Sequence, residues 1–150
     1  MTPPPPPTSR PGIRFGTAYY WEHLRAPDLE RDLMAQARID TIRVGESVWS
    51  TWEPRDGEFD LDWLTPVLDG ARERGMGVLL GTPTYAIPPW LQRKHPELAV
   101  ARADGSRNPW GARQEVNFTS PIFRAYAERV IRAVIGRHGG QQRHALPPCP

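Results

Sequence analysis

Apolar positions along the chain alternate between two rhythms. Residues 14–20 (RFGTAYY), 41–45 (TIRVG) and 77–81 (GVLLG) are short runs bounded by polar or turn residues, and each reads as a strand. The third run is apolar without alternation, the pattern of a parallel strand covered on both faces. Between these runs the apolar residues recur every three or four positions, the spacing of one helix face. Leu29, Leu33, Met34 and Ala37 predict a helix over 28–38. Leu64, Val67, Leu68 and Ala71 predict one over 61–74, with Gly75 as its C-terminal cap. Phe123, Ala127, Val130, Ile131 and Val134 predict one over 121–138. A shorter helix is expected around 88–94, where Pro88 and Pro89 suit a first turn.

The order is strand–helix three times over, which predicts an α/β fold with a parallel sheet and crossover connections. Segments leaving the strands are long: 20–27, 46–60 and 82–117. Returns from helix to strand are short, as at Ile39–Asp40 and Gly75–Met76. That asymmetry belongs to a (β/α)₈ TIM barrel, whose site is built on the loops at the C-terminal ends of its strands. No glycine-rich phosphate loop follows any strand. The fold expected is an incomplete barrel, its first three βα units only. Three parts follow from the pattern: a disordered Pro-rich tail over 1–12, the barrel segment over 13–138, and an aberrant disordered tail over 139–150, where no fourth apolar run appears.

Composition changes this picture little. Apolar residues are 39% of the 150 and charged residues 24%, with a net charge of +2. Basic and acidic residues interleave, which argues against a nucleic-acid partner. The one cysteine, Cys149, supports no disulfide framework. No apolar run approaches the ~18 residues of a membrane span. The first 12 residues have no apolar core of a signal peptide, so a cytoplasmic protein is expected.

The chemistry sits in the strand-end segments, which hold most of the six tryptophans. Flat rings stack on the C–H faces of sugars, so Trp49, just past the second strand, is either a sugar platform or core packing. Trp63 and Trp90, on predicted helices, read as packing. Glu46 follows the second strand and has three roles open to it: catalysis, orientation of substrate hydroxyls, or pairing with Arg43 or Arg113. Glycoside hydrolysis needs two carboxylates at a set separation, and Glu22, Glu46, Glu53 and Glu115 are candidates by type alone. Arg113 either donates forked hydrogen bonds to sugar hydroxyls or pairs with a loop carboxylate. His23, His95, His138 and His144 are dispersed, and neither a metal nor a cofactor is expected.

Four stretches, FGTAYYWEHL (15–24), IRVGESVWSTWEPRDGEFDLDWL (42–64), GVLLGTPTYAIPPWLQRKHPE (77–97) and DGSRNPWGARQEVNFTSP (104–121), together resemble the N-terminal part of the glycoside hydrolase family 42 β-galactosidases. The resemblance implies a retaining β-galactosidase with a (β/α)₈ catalytic domain. It implies an acid/base glutamate in an Asn-Glu pair after strand four and a nucleophile after strand seven. No Asn-Glu pair occurs in these 150 residues, so no catalytic residue is assigned. Arg113 matches the arginine of the family's Gly-Ser-Arg segment and is expected to hold the galactosyl unit, with Ala112 in place of the serine. Asn117 stands where some members carry a zinc-binding cysteine.

The substrate-binding candidates are therefore Arg113, Glu46 and Trp49. The resemblance is expected to stop at Gly140, through a frameshift or a truncated gene. The function expected is that of a β-galactosidase fragment, inactive alone. A non-catalytic carbohydrate-binding remnant or half of a split enzyme are the alternatives, with homo-oligomers confined to a full-length enzyme.

Overall fold

The computed structural model describes residues 14–23, 39–111 and 116–140. The expected helix over 28–38, the tail over 1–12, residues 141–150 of the tail expected over 139–150, and the Arg113 segment lie outside these residues. Contacts divide the chain into two compact units.

The first unit holds the sheet. Strands β1 (Gly16–Ala18), β2 (Thr41–Val44) and β3 (Gly77–Leu80) pair in parallel in the order β1-β2-β3. Thr41 stands opposite Gly16 on one side and Gly77 on the other. A Cβ at position 16 would lie 2.7 Å from the Thr41 carbonyl oxygen, so the close approach of β1 to β2 requires glycine there. Asp40 leads into β2 with its carboxylate accepting from the Phe15 amide and the Thr41 hydroxyl. Ile42 and Val44 are buried. All three strands are shorter than the runs that predicted them.

The β2-to-β3 crossover contains helix α2 (Thr65–Glu73), which packs on β3. Its apolar stripe is as expected: Leu64, Val67, Leu68 and Ala71 are buried. Its start is not. The helix begins at Thr65 rather than at 61, because Pro66 occupies the first turn, the one place where a residue without an amide proton is tolerated. Trp63, expected on the helix, lies in the turn before it. The end closes as a Schellman motif: Gly75 has φ 66°, its amide donates to Arg72 O and the Met76 amide to Ala71 O. The expectation that β3 is covered on both faces fails. Leu79 is 44% exposed, since among the described residues of this unit α2 is the one helix that packs on the strand.

The second unit comprises the segment after β2 (Gly45–Asp62) and the chain from Gly81 to Gly140. Its helices are α1 (Trp49–Trp52), α3 (Pro89–Lys94) and α4 (Pro121–His138). Helix α1 falls in a stretch expected to be loop. It is a single turn, closed by Trp52 N–H to Val48 O and Glu53 N–H to Trp49 O, and both its tryptophans are buried. Helix α4 has the predicted bounds. Ser120 caps it by accepting from the Phe123 amide, with Pro121 opening the first turn. Its buried stripe is Phe123, Ala127, Val130, Val134 and His138. Ile131, expected in that stripe, is half-buried, and the stripe runs on instead to His138.

Candidate functional site

The segment from Gly45 to Asp62 is where the sequence places Glu46 and Trp49. Glu46 is half-buried, in a turn two residues past β2. The next residue, Ser47, has φ 58° and is the one non-glycine residue with positive φ among those described. A side chain in that conformation costs about 1–2 kcal/mol, so the backbone beside Glu46 is held by its surroundings.

Trp49 is 0% exposed. Its indole N–H donates to Glu53 Oε2 at 3.0 Å, and its ring meets Phe123 edge-on at 6.4 Å. Of the two roles open to it, the structure gives it packing, because no ring face is left for a sugar. Arg113 lies outside the described residues.

Glu53 was a candidate by type, and the structure shows what it does. It is also 0% exposed and is the hub of its segment. Its carboxylate accepts from Trp49 Nε1, from the Gly57 amide at 2.8 Å and from Arg129 of α4, and its backbone carbonyl accepts from Trp90 Nε1 at 2.9 Å. Arg129 also bonds Asp56 at 2.8 Å and lies 4.7 Å above the Tyr126 ring. Lys94 of α3 closes the group by bonding Asp56. These bonds from Lys94 and then Arg129 hold the Asp56 carboxyl below the usual carboxylate range. The bond to Asp56, followed by one to Tyr126, raises the Lys94 ammonium above its ordinary value. The signal in the sequence was the four-residue step from Trp49 to Glu53, which on one helical turn brings the two side chains together.

The aromatic rings that stay accessible are elsewhere. Trp110 is 48% exposed and Tyr85 44%, both in the long excursion after β3. Trp90 is half-buried, with its indole N–H used by Glu53 and its ring edge-on to Tyr126. In the first unit, Tyr20 is exposed just past β1, and Glu22 keeps Oε2 buried with no hydrogen-bond partner.

His95 bonds Glu97 through Nδ1 at 3.1 Å, and its other nitrogen faces the Tyr126 hydroxyl. The bond of Glu97 to its own backbone amide, then that from His95, keeps its carboxyl low. His138 is fully buried, and its Nε2 must carry the proton that it donates to Leu61 O at 2.7 Å, since a carbonyl only accepts. Among the described residues no group of three His, Cys, Asp or Glu is placed to hold a metal ion. Nor is any helix there long and apolar enough to cross a membrane.

Comparison with known proteins fits this arrangement of a parallel sheet with aromatic- and carboxylate-bearing segments after its strands. The signature of the glycoside hydrolase family 42, described as β-galactosidase, matches residues 18–146. β-Galactosidase BgaH of Haloferax lucentense is 35% identical over 128 residues, covering 84% of this chain and 19% of its own length. A β-galactosidase of an Arthrobacter species is 37% identical over 139 residues, covering 90% of this chain and 20% of its own. The structure of the polyextremophilic β-galactosidase from Halorubrum lacusprofundi superposes with a TM-score of 0.78 at 32% identity, over 84% of this chain and 19% of that one. The chain is thus an α/β member of a glycoside hydrolase group: it belongs to the family 42 β-galactosidases. It spans about a fifth of the length of the curated relatives that it matches.

Proposed function

We propose that residues 13–138 are the first three strand–helix units of the (β/α)₈ catalytic barrel of a retaining β-galactosidase, with 1–12 and 139–150 as tails. In this reading the 150 residues supply part of the galactosyl-binding surface and none of the bond-breaking groups. Arg113 holds the sugar through its fork of N–H donors, and Glu46, on its strained turn, orients substrate hydroxyls. Terminal β-D-galactosides are the substrate class. The observation that carries the reading is the family match over 18–146, which includes Arg113, in a sequence with no Asn-Glu pair.

The test uses the 150-residue chain itself. A chromogenic β-galactoside should show no turnover above background. Galactose titration followed by tryptophan fluorescence should saturate, and Arg113→Ala should weaken it by roughly tenfold or more, the size of one lost hydrogen bond to a charged group. Turnover by the unmodified chain would overturn the division of labour. Absence of any galactose response would overturn the binding assignment.

A further inference from the structure

Helix α4 carries more apolar surface than its own unit covers. Beside its buried stripe a second apolar row, stepping four residues at a time, lines a shallow groove: Phe123, Ala127, Ile131 and Ile135. Phe123 and Ala127 are shared with the buried stripe, Ile131 is half-buried and Ile135 is 42% exposed. Phe118 prolongs the row at its N-terminal end. Its ring is 53% exposed and meets Phe123 edge-on at 5.2 Å, and its carbonyl accepts from Arg124 Nε at 3.3 Å.

The rim of the groove is another row with the same step: Arg124, Glu128, Arg132 and Gly136, all exposed. Glu128 and Arg132 pair at 2.7 Å with side chains 63% and 77% exposed, so water holds the pair loosely and it can be exchanged. Gly136 stands inside the helix, where the freedom of glycine in the unfolded chain counts against it. A Cβ there would meet nothing within 4 Å beyond the adjoining residues and the backbone of its own helix, so no packing within this chain calls for the missing side chain.

Rows of this step are the ridges by which helices pack on one another. The charge order along the rim selects the occupant. From 124 to 136 it runs positive, negative, positive, glycine. Turned end for end and laid against itself with 128 opposite 132, the row sets Glu128 of each copy against Arg132 of the other. Arg124 of each then meets the gap at Gly136, and the apolar row, one residue back, falls between the steps of its counterpart. Sliding the copies by four residues instead opposes Arg124 to Arg132, or Arg132 to Arg132. A parallel twofold pairing opposes every charge to its like. Contacts that repeat as i to j and j to i define a twofold interface between identical chains.

We infer that this flank of α4 seats a second copy of the chain, packed antiparallel in a twofold dimer. The inference stands apart from the functional reading above, and it gives the 150 residues an association that the sequence led us to expect only of a full-length enzyme. The contact is one helix flank, roughly 20 Å long. It falls short of the ~800 Å² per partner of a standard interface, so the dimer is weak and reversible.

Sedimentation equilibrium of the 150-residue chain tests this. Mass should rise toward that of two chains at roughly 0.1–1 mM. Glu128→Arg makes the charges of the rim positive throughout, and Arg132→Glu sets Glu128 against a second carboxylate. Each alone should weaken the dimer by roughly tenfold or more, and their equimolar mixture should regain it, because the two altered rows complement each other. Gly136→Leu fills the gap. It should raise the melting temperature, since leucine is the better helix former, and weaken the dimer by about tenfold. Circular dichroism checks the fold of each variant; if one charge variant unfolds, the Gly136→Leu result decides. Association unmoved by these changes, or a mixture that does not recover, overturns the proposal. So does an unmodified chain that stays single, and if a chain ending at Gly140 then associates, the groove belongs to residues 141–150.

Discussion

A buried glutamate is tolerated when every oxygen has a donor, and Glu53 meets that condition with a tryptophan, a backbone amide and an arginine. Removing it leaves the Trp49 indole and the Gly57 amide without an acceptor and Arg129 with Asp56 alone. Glu53→Ala should therefore cost about 1–3 kcal/mol, read as a fall in the urea midpoint of the 150-residue chain. Glu53→Gln, which keeps an acceptor for Trp49, should cost less. Asp56 and Lys94 make a different prediction, in pH. The Asp56 carboxyl is depressed in the fold, so its contribution is full above the unfolded value of about 4 and disappears as pH falls through the lower folded value. Lys94 is raised, so its contribution is full below about 10.4 and disappears as pH rises through the higher folded value. The stability difference between the unmodified chain and Asp56→Asn should hold between those limits and vanish at acid pH. Both groups are part-exposed, so added salt should shrink it.

Single glycines and caps carry the elements. Ser120→Ala removes the side-chain acceptor at the start of α4 and should cost about 1 kcal/mol, measurable by thermal unfolding. Gly16→Ala pushes a methyl toward the Thr41 carbonyl and should cost about 1–3 kcal/mol by forcing β1 from β2. The elements were also the most legible part of the sequence. Helix α4 appears where its three- and four-residue spacing placed it, because eighteen residues of consistent periodicity leave little ambiguity. Helix α1 was not legible: four residues are too few to show a period, and what makes them helical is Trp49 and Trp52 turning inward, a tertiary effect. Pro66 is a signal in the sequence for the late start of α2, since a residue without an amide proton belongs in a first turn. At the site, residue type alone did not separate Glu46 from Glu53, because burial and the distant Arg129 distinguish them and neither is local in sequence. Tryptophan content was legible as a hint of sugar chemistry. Which rings stay open was not, since exposure follows from packing.

Across the whole molecule the exposed apolar surface is the property most open to measurement. Leu79 on β3 is exposed, and so are Phe15 beside β1 and Ile135 on α4. Ile135 shares a shallow groove with Phe123, Ala127 and Ile131. Exposed apolar surface on each unit promotes association. Sedimentation velocity of the 150-residue chain should show mass rising with concentration, and the double change Leu79→Lys with Ile135→Lys should suppress it. An ideal monomer at all concentrations would contradict this.

The tie between Glu53 and Arg129 spans 76 residues of chain. On a ribosome adding ~5–20 residues per second, the carboxylate is made roughly 4 to 15 s before the guanidinium that neutralises it. Until then its own segment gives the carboxylate two donors, Trp49 and the Gly57 amide, and no opposite charge. Segment 45–62 is therefore expected to close fully only once α4 has been synthesised. Slowing translation between codons 53 and 129 should lengthen the window in which that segment is cut by protease.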